Sequence, residues 1–578
     1  MNWNLFDRAR RAARHPAQVE TIEAYQEGRL SRRDFLRRGA ILGLSVPFMG
    51  AVIAACGDDG GTATTTGGSE GTAAPGTQAP GSTTAGQAGG MIRYAHQRPA
   101  TTLDPVLMQS LGAYGIVSQS FEYLVGFGED GDIAPSGLAT EWTLNEDGSV
   151  WTFPLRTDAT WMADGAAFTS TDVKATMNRL VESGNSALDG IISMDAVDDS
   201  DPAVAVFNLD APNGNFPYLV STYNAQSVIT PESYEVGSAL EVTPNGTGAW
   251  KLANYDVATG CTFERNPDWW GGETPLDGIE FQFFDDVGSQ VTAVQGGAVD
   301  GITQFAVLGG DALLNDPNFT VIAIQAATHR QVWMRCDTGQ FADPRVRRAL
   351  AFTFNREQMV QTLFQGRADI GNDHVIAPFT PFFDDSVPQR TRDIEQAQQL
   401  LAEAGVEGGL QATLHCGELQ EIPQLAQLIQ AGAAEAGFDL QIEVEGLDTF
   451  YGAQWCPPGD DGQPTDPPCN RAAELGIVDY GHRPTPDIYL NAALSTNGVW
   501  NSSQYSSEEF DAAFAEYSQS LTVEDQRAAA GKLETILNED VPVGVPFFYN
   551  YLGGHSNQYQ GVLQSALGHP VFTQTSHV

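Results

Sequence analysis

Asp479, Trp500 and Asn501 carry the side chains best suited to hold a small solute. Asp479 sits in Val478-Asp479-Tyr480, ahead of Pro484-Thr485-Pro486-Asp487. A carboxylate withdrawn from water needs a partner of opposite charge, and an ammonium group on a ligand would supply it. The competing role is a loop aspartate that bonds its own turn. Trp500 and Asn501 follow Gly498-Val499. An aromatic plate beside an amide suits a ligand with an apolar side and a polar backbone; a place in the core is the alternative for Trp500. Arg98, just ahead of Leu103-Asp104-Pro105, could pair with a ligand carboxylate or remain a surface arginine. Trp333, in a strand-like run, completes the candidates.

No pattern of covalent or metal chemistry accompanies them. The chain has no His-Glu-x-x-His, no Gly-x-Ser-x-Gly and no Gly-Lys-Ser/Thr phosphate loop, and its nine histidines are scattered. His482, the nearest soft ligand to Cys456 and Cys469, stands alone. These residues point to binding without catalysis, with no cofactor and no metal; an exported hydrolase is the weaker alternative. The net charge of −44, from 73 acids against 29 bases, excludes nucleic acid, whose phosphates need clustered Lys and Arg. It is compatible with a cationic solute, although a solvated acidic surface is its ordinary meaning.

The elements that must position these residues can be read in outline. A chain of 578 residues exceeds one core and divides into two or three lobes. Ile92–Ala95 reads as a strand. Glu141–Leu155 reads as a hairpin turning at Asn145-Glu146-Asp147-Gly148, with Trp151, Phe153 and Leu155 on one face. Thr169 and Asp172 form a capping box for a helix reaching about Leu180. Asp343-Pro344 opens another helix, with Val346, Ala349 and Leu350 on its apolar side. Further helices are expected over Ile394–Gly405 and after Thr522. Strands and helices mix irregularly, which favours an α/β fold. Cys456 and Cys469 flank a loop rich in Pro, Gly and Asp. A disulfide closing it would stabilise the chain by roughly 3 kcal/mol in the chain-entropy model. Cys261, Cys336 and Cys416 lie in strand-like runs and read as buried free thiols.

The first ninety residues have a different character. Residues 31–37 read Ser-Arg-Arg-Asp-Phe-Leu-Arg, followed by an apolar run from Gly39 to Ala55 and then Cys56. A basic stretch, a short apolar stretch and a small-residue exit make an export signal. Arg32 and Arg33 ahead of Phe35-Leu36 resemble the twin-arginine signal. Ile53-Ala54-Ala55-Cys56 resembles a lipoprotein cleavage box, which implies that Cys56 becomes the acylated mature N-terminus. The competing reading is a permanent membrane helix, but the apolar run is at the lower length limit and holds Gly39, Gly43, Pro47 and Gly50. Residues 57–90 are almost wholly Gly, Thr, Ala, Ser, Pro and Gln and are expected to stay disordered. As a tether they would reach roughly 30 Å root-mean-square.

Several stretches, in their order, resemble one family. They include Thr102-Leu103-Asp104-Pro105, Phe121-Glu122-Tyr123-Leu124-Val125 and Leu138-Ala139-Thr140-Glu141-Trp142. Further along come Asn245-Gly246-Thr247-Gly248-Ala249-Trp250, Arg265-Asn266-Pro267-Asp268-Trp269-Trp270 and Phe341-Ala342-Asp343-Pro344-Arg345-Val346-Arg347-Arg348-Ala349-Leu350. From 91 onward the chain resembles the extracytoplasmic solute-binding proteins of the oligopeptide, dipeptide and nickel class, family 5 of the ABC importers. The resemblance implies a type II periplasmic-binding-protein-like α/β fold, with two hinged lobes and an extra small subdomain. It implies a signal region at 1–55, a tether at 56–90, lobe I from 91–124, 231–323 and 545–578, a subdomain at 125–230 packed on lobe I, and an opposing lobe at 324–544. It assigns Asp479 to the aspartate that receives a peptide's amino terminus and places Arg98 in a cleft-lining loop. Trp333 falls on the strand that enters the opposing lobe. Cys336 replaces a usual Asn, and the Cys456–Cys469 insertion is an addition; both fall in or near the ligand-selecting lobe. The function implied is that of a monomeric, lipid-anchored extracytoplasmic receptor. It would deliver a short peptide or other small solute to an ABC permease and its ATPase. A sensor or chaperone-type binding protein without a transporter is the rival.

Overall fold

Met91–Gln97 is buried along most of its length, as a strand with neighbours on both sides must be. In the computed structural model it lies between Gly278–Phe284 and Gly301–Phe305, parallel to both. The model describes residues 88–578 apart from 101, 129–130, 186, 242–243, 407–408 and 461–463. Arg32, Arg33 and Cys56 therefore lie outside the described residues. The first sheet has seven strands, in the order Phe319–Ile324, Tyr551–Ser556, Gly301–Phe305, Met91–Gln97, Gly278–Phe284, Gly260–Arg265 and Trp250–Asp256. Gly301 is needed there, because a Cβ would fall 2.3 Å from the Tyr94 ring.

A four-stranded antiparallel sheet follows the first strand in sequence. The expected hairpin is present, with Thr143–Leu144 paired to Val150–Pro154. Gly148 adopts φ +77°, the left-handed value its turn requires. Trp151 and Phe153 are buried, and the Phe153 and Phe207 rings meet edge to face at 5.3 Å. The Thr169–Asp172 capping box opens the helix Ser170–Glu182.

The second sheet is built from Ala368–Ile370, Phe547–Tyr549, His329–Met334, Leu475–Tyr480, Leu410–Gly417 and Phe438–Glu445, with Val543–Gly544 paired beside it. Leu410–Gly417 runs parallel to both of its neighbours. Helix Pro344–Phe352 is capped by Asp343, whose carboxylate accepts from the Arg345 amide at 2.9 Å. Arg347 donates to four carbonyls, those of Phe341, Ala342, Asp540 and Val541, and so ties helix to sheet. Cys261 and Cys416 are buried free thiols, whereas Cys336 is half-buried. A disulfide joins Cys456 to Cys469.

The chain passes from the first sheet to the second between Ile324 and His329, and returns between Tyr549 and Tyr551. The return lies a few residues beyond the expected 545, because Phe547–Tyr549 pairs with Ala368–Ile370 of the second sheet. The two passages run side by side. The Tyr549 amide donates to the Thr328 carbonyl at 3.0 Å, and the Thr328 hydroxyl donates to the Tyr549 carbonyl at 2.6 Å. The fold is thus a two-lobe α/β protein with a small third sheet. Among the described residues no helix is long and apolar enough to cross a membrane.

Candidate functional site

In an open α/β sheet, a crevice opens at the carboxyl ends of adjacent parallel strands whose connections leave in opposite directions. Both sheets have such a point. In the first it lies past Met91–Gln97, between Gly278–Phe284 and Gly301–Phe305. In the second it lies past Leu410–Gly417, between Phe438–Glu445 and Leu475–Tyr480. A cavity of about 170 Å³ brings the two ends together, lined by His96, Gln97, Asp286 and Gln290 from one side and Gln420 from the other.

The second-sheet side is a network around Arg330. This side chain is buried, and its Nε donates to Glu421 Oε1 at 2.7 Å while Nη2 donates to Gln420 Oε1 at 2.8 Å. Its guanidinium lies over the Tyr549 ring, 4.7 Å from the centroid. Burial alone would lower the Arg330 pKa, but Tyr549, Glu421 and Asp479 outweigh it and the pKa is raised. Gln420 adopts φ +45°, a left-handed conformation rare outside glycine. Backbone held in that region marks places where geometry is set by the surroundings. Here it holds the amide between Arg330 and the cavity.

Asp479 faces Arg330 directly across the strand pair. It is half-buried at the end of Leu475–Tyr480 and accepts a hydrogen bond from the Tyr451 hydroxyl. Burial raises the Tyr451 pKa, and the neighbouring Asp479 carboxylate raises it further. The Cys456–Cys469 disulfide and the bond from the Ala473 amide to the Gln454 carbonyl, 2.8 Å, hold the turn bearing Tyr451 against the segment leading to Asp479.

The first-sheet side is rigid and neutral where it is deepest. His96 Nε2 lies 2.9 Å from the Gly112 carbonyl, which can only accept, so that nitrogen carries the proton. Nδ1 meets the Thr303 hydroxyl at 3.1 Å. Burial pulls the His96 pKa down to about 4. Gly115 admits the ring, since a Cβ there would lie 2.6 Å from it. Gln290 is 3% exposed, and its Oε1 has no hydrogen-bond partner.

Of the five ligand candidates, Asp479 is half-buried near the end of Leu475–Tyr480, a strand that borders the second-sheet crevice. Trp500 is half-buried and packs on Tyr480 at 6.0 Å. Tyr480 is the next residue along the strand, so its side chain leaves the face opposite Asp479. Trp455 nevertheless meets both the Tyr451 and the Tyr480 rings, at 5.6 and 6.5 Å, so Trp500 and the Tyr451 partner of Asp479 border one aromatic group. Asn501 is 2% exposed and fully used within its loop: Nδ2 donates to the Ser495 and Tyr505 carbonyls, and Oδ1 accepts from the Ser503 hydroxyl and the Tyr505 amide. Arg98 is likewise engaged. Its guanidinium is held by Asp285 at 2.6 Å and by the Val257 and Ala258 carbonyls, all on its own lobe. Trp333 is a core residue with no exposed surface; its Nε1 donates to the Ala473 carbonyl and its ring covers Gly476.

Arg330, Gln420, Glu421 and Tyr451 were missed in sequence. The one signal available was position: Gln420 and Glu421 directly follow the strand Leu410–Gly417, whose end becomes a crevice only when its neighbours are known. Among the described residues no group of three or more His, Cys, Asp or Glu could hold a metal ion. The arrangement can bind, desolvate and orient a small solute between lobes.

Comparison with known proteins agrees with this fold. The model for bacterial extracellular solute-binding proteins, family 5, matches residues 135–462. Heme-binding protein A of Haemophilus influenzae is 22% identical over 516 residues, covering 83% of this chain and 91% of the relative. The periplasmic murein peptide-binding protein MppA of Escherichia coli is 26% identical over 499 residues, covering 80% and 88%. The structure of HbpA2 from Haemophilus parasuis superposes with a TM-score of 0.72 at 19% identity, covering 84% of this chain and 99% of that one.

Proposed function

Because the chain belongs to the bacterial extracellular solute-binding proteins of family 5, we propose that it is the lipid-anchored receptor of an ABC importer, closing on a short peptide or other amine-bearing solute. The observation that carries this reading is Asp479. It is a half-buried carboxylate near the end of Leu475–Tyr480, held by a tyrosine hydroxyl and lying across from buried Arg330, whose Gln420 partner lines the cavity between the sheets. An ammonium group on the ligand would supply the opposite charge that such a carboxylate seeks once the crevice excludes water. Relatives named for binding murein peptide and glutathione are consistent with an amine-bearing ligand.

The mechanism is one of biased populations. The two lobes flex about the paired passages at 325–328 and 550. A solute that touches both crevice ends stabilises the closed form by its extra contacts there. A permease and an ATPase, which are other chains, would read that form and take up the solute. Arg32 and Arg33 would route the folded protein outward, and acylated Cys56 would keep it at the membrane. The chain itself would act as a monomer and perform no catalysis.

Native mass spectrometry of protein purified from its own host identifies the ligand, and calorimetry with that ligand tests the site. Asp479→Asn should weaken binding by about 2–5 kcal/mol, the range for unpairing a buried charge. Asp147→Asn, in an exposed turn, should leave affinity unchanged. Equal affinity of wild type and Asp479→Asn would defeat the amine reading and favour a neutral solute.

A further inference from the structure

We infer that the small four-stranded sheet carries a latch: its tip, at Gly148 and Gly214-Asn215, grips two helices of the second lobe and opens and closes with the crevice. This rests on the hinged-receptor reading above and adds a second, non-covalent tie between the halves. The tip is set before it docks. The Asn213 amide donates to the Gly148 carbonyl at 3.1 Å, the Trp151 indole to the Asn213 carbonyl at 2.9 Å, and the Asn215 amide to Asn213 Oδ1 at 2.7 Å. Its receiver is the junction Ser520-Leu521 between helices Glu508–Gln519 and Val523–Asp540. That junction is set as well, since the Thr522 hydroxyl accepts from the Asp525 amide at 3.1 Å and caps the second helix.

The two parts meet closely. Gln526 Nε2 donates to Asn215 Oδ1 at 2.9 Å, across 311 positions of chain, and both side chains are buried. Gly214 makes the approach possible: a Cβ there would lie 2.9 Å from the Ser520 carbonyl oxygen and 3.2 Å from the Leu521 Cα. At Gly148 a Cβ would fall 2.5 Å from a Leu521 methyl. Three residues on from Asn215, the Tyr218 ring meets the Phe382 ring at 6.4 Å.

The small sheet is attached to the two lobes very differently. With the first sheet it shares one continuous hydrophobic core: Trp151, Phe153 and Phe207 belong to the same cluster as Tyr94, Phe263 and Phe281. The two helices belong to another core, where Phe510, Tyr517 and Leu533 pack with Trp333 and Val478 of the second sheet. The small sheet therefore moves with the first lobe. At its tip, its hold on the second lobe rests on a hydrogen bond, a leucine and a ring contact. A contact of that size permits relative motion, where a large apolar interface would forbid it. Such a tie favours the closed form and still releases, so it sets the balance between the two populations from outside the ligand site.

Hydrogen exchange of the full exported protein, read by mass spectrometry without any solute, tests this, because the opening of a joint shows as faster exchange. Gly214→Ala wedges a methyl against Ser520 and Leu521 of the other lobe. Gln526→Ala removes the bond from that lobe's own side. In each variant exchange should quicken about fivefold, the effect of one lost buried hydrogen bond. It should do so at the tip and also in segments 285–290 and 418–422, which border the cavity between the sheets. Those distant segments are the readout that local packing would not move. Faster exchange confined to 212–218 and 520–526 would overturn the latch and leave the receptor reading standing, and so would unchanged exchange throughout. Where Gly214→Ala loosens the whole small sheet, Gln526→Ala decides, since it alters no residue of that sheet. The receptor reading is judged separately, by calorimetry with the co-purified solute.

Discussion

The hydroxyl of Tyr451 donates to the carboxylate of Asp479, 28 positions further along the chain. The pair joins a helical turn secured by a disulfide to the end of a central strand, so the carboxylate is held in place from two directions of the chain. Tyr451→Phe should therefore cost less than Asp479→Asn. Removing one neutral donor from a retained carboxylate should weaken ligand binding by about 1–2 kcal/mol. Calorimetry on the two variants side by side gives the ordering, and a larger loss in Tyr451→Phe would contradict it.

The disulfide should matter for both stability and affinity. Replacing Cys456 and Cys469 together by serine should lower stability by about 3 kcal/mol in the chain-entropy model. It should also weaken binding, since the turn bearing Tyr451 loses its tie to the strand of Asp479. Denaturant unfolding and calorimetry measure the two effects separately. Unchanged affinity after a clear loss of stability would detach the loop from the site.

Trp333 should behave as a core residue. Trp333→Ala should destabilise the fold by roughly 3–5 kcal/mol, the usual range for emptying a buried aromatic site. Trp333→Phe should cost less and leave the ligand affinity of the folded protein intact. A selective loss of affinity in Trp333→Phe at full stability would return Trp333 to the binding site.

Glu122 predicts a pH dependence. It is half-buried, and desolvation raises its pKa from the ordinary 4.5 to about 7 against the opposing bonds from Trp270, Trp269 and Thr247. An acid whose folded value is raised holds its proton more tightly in the native state. That contribution is full below about 4.5 and is lost as the pH rises through about 7. The melting temperature of wild type relative to Glu122→Gln should therefore fall between pH 5 and pH 8. A constant difference across that range would show that the carboxyl does not titrate there.

The proposed anchor makes a cellular prediction. Cys56→Ala should release the protein from the membrane or stall its processing, read by fractionation and by mass spectrometry of the N-terminus. Lysine at both Arg32 and Arg33 should retain precursor inside the cell. Undiminished export of that double variant would point to the route for unfolded chains.

Local order was legible in the sequence where it depends on near neighbours. The hairpin at Asn145–Gly148, the capping box at Thr169 and Asp172, and the start at Asp343-Pro344 are written in residues at most a few positions apart. Asp479 stood out as a candidate because it combined a family-like context with a chemical role. The partners of Asn501, Arg98 and Trp333 were not legible, because type alone cannot say which way a side chain faces. Trp333 lies on a strand buried on both sides, and Asn501 meets a ring of acceptors and donors within its own loop. Arg330 escaped notice for the opposite reason. Its partners Glu421 and Tyr549 lie about a hundred positions or more away, and only the strand order of the second sheet brings them together.

The paired passages between the sheets have a consequence for what a transporter can learn. Thr328 and Tyr549 grip each other twice, so neither strand can bend without the other. Such a joint allows one swing and little else, much as two pins confine a door to a single arc. Any solute that bridges the crevice then produces nearly the same outward shape, whatever its side groups. Occupancy is broadcast to the outside, while identity is judged wholly within. On the proposed reading, broadening or narrowing the diet of the cell would require changing the residues that line the crevice, and would leave the surface shown to the permease untouched.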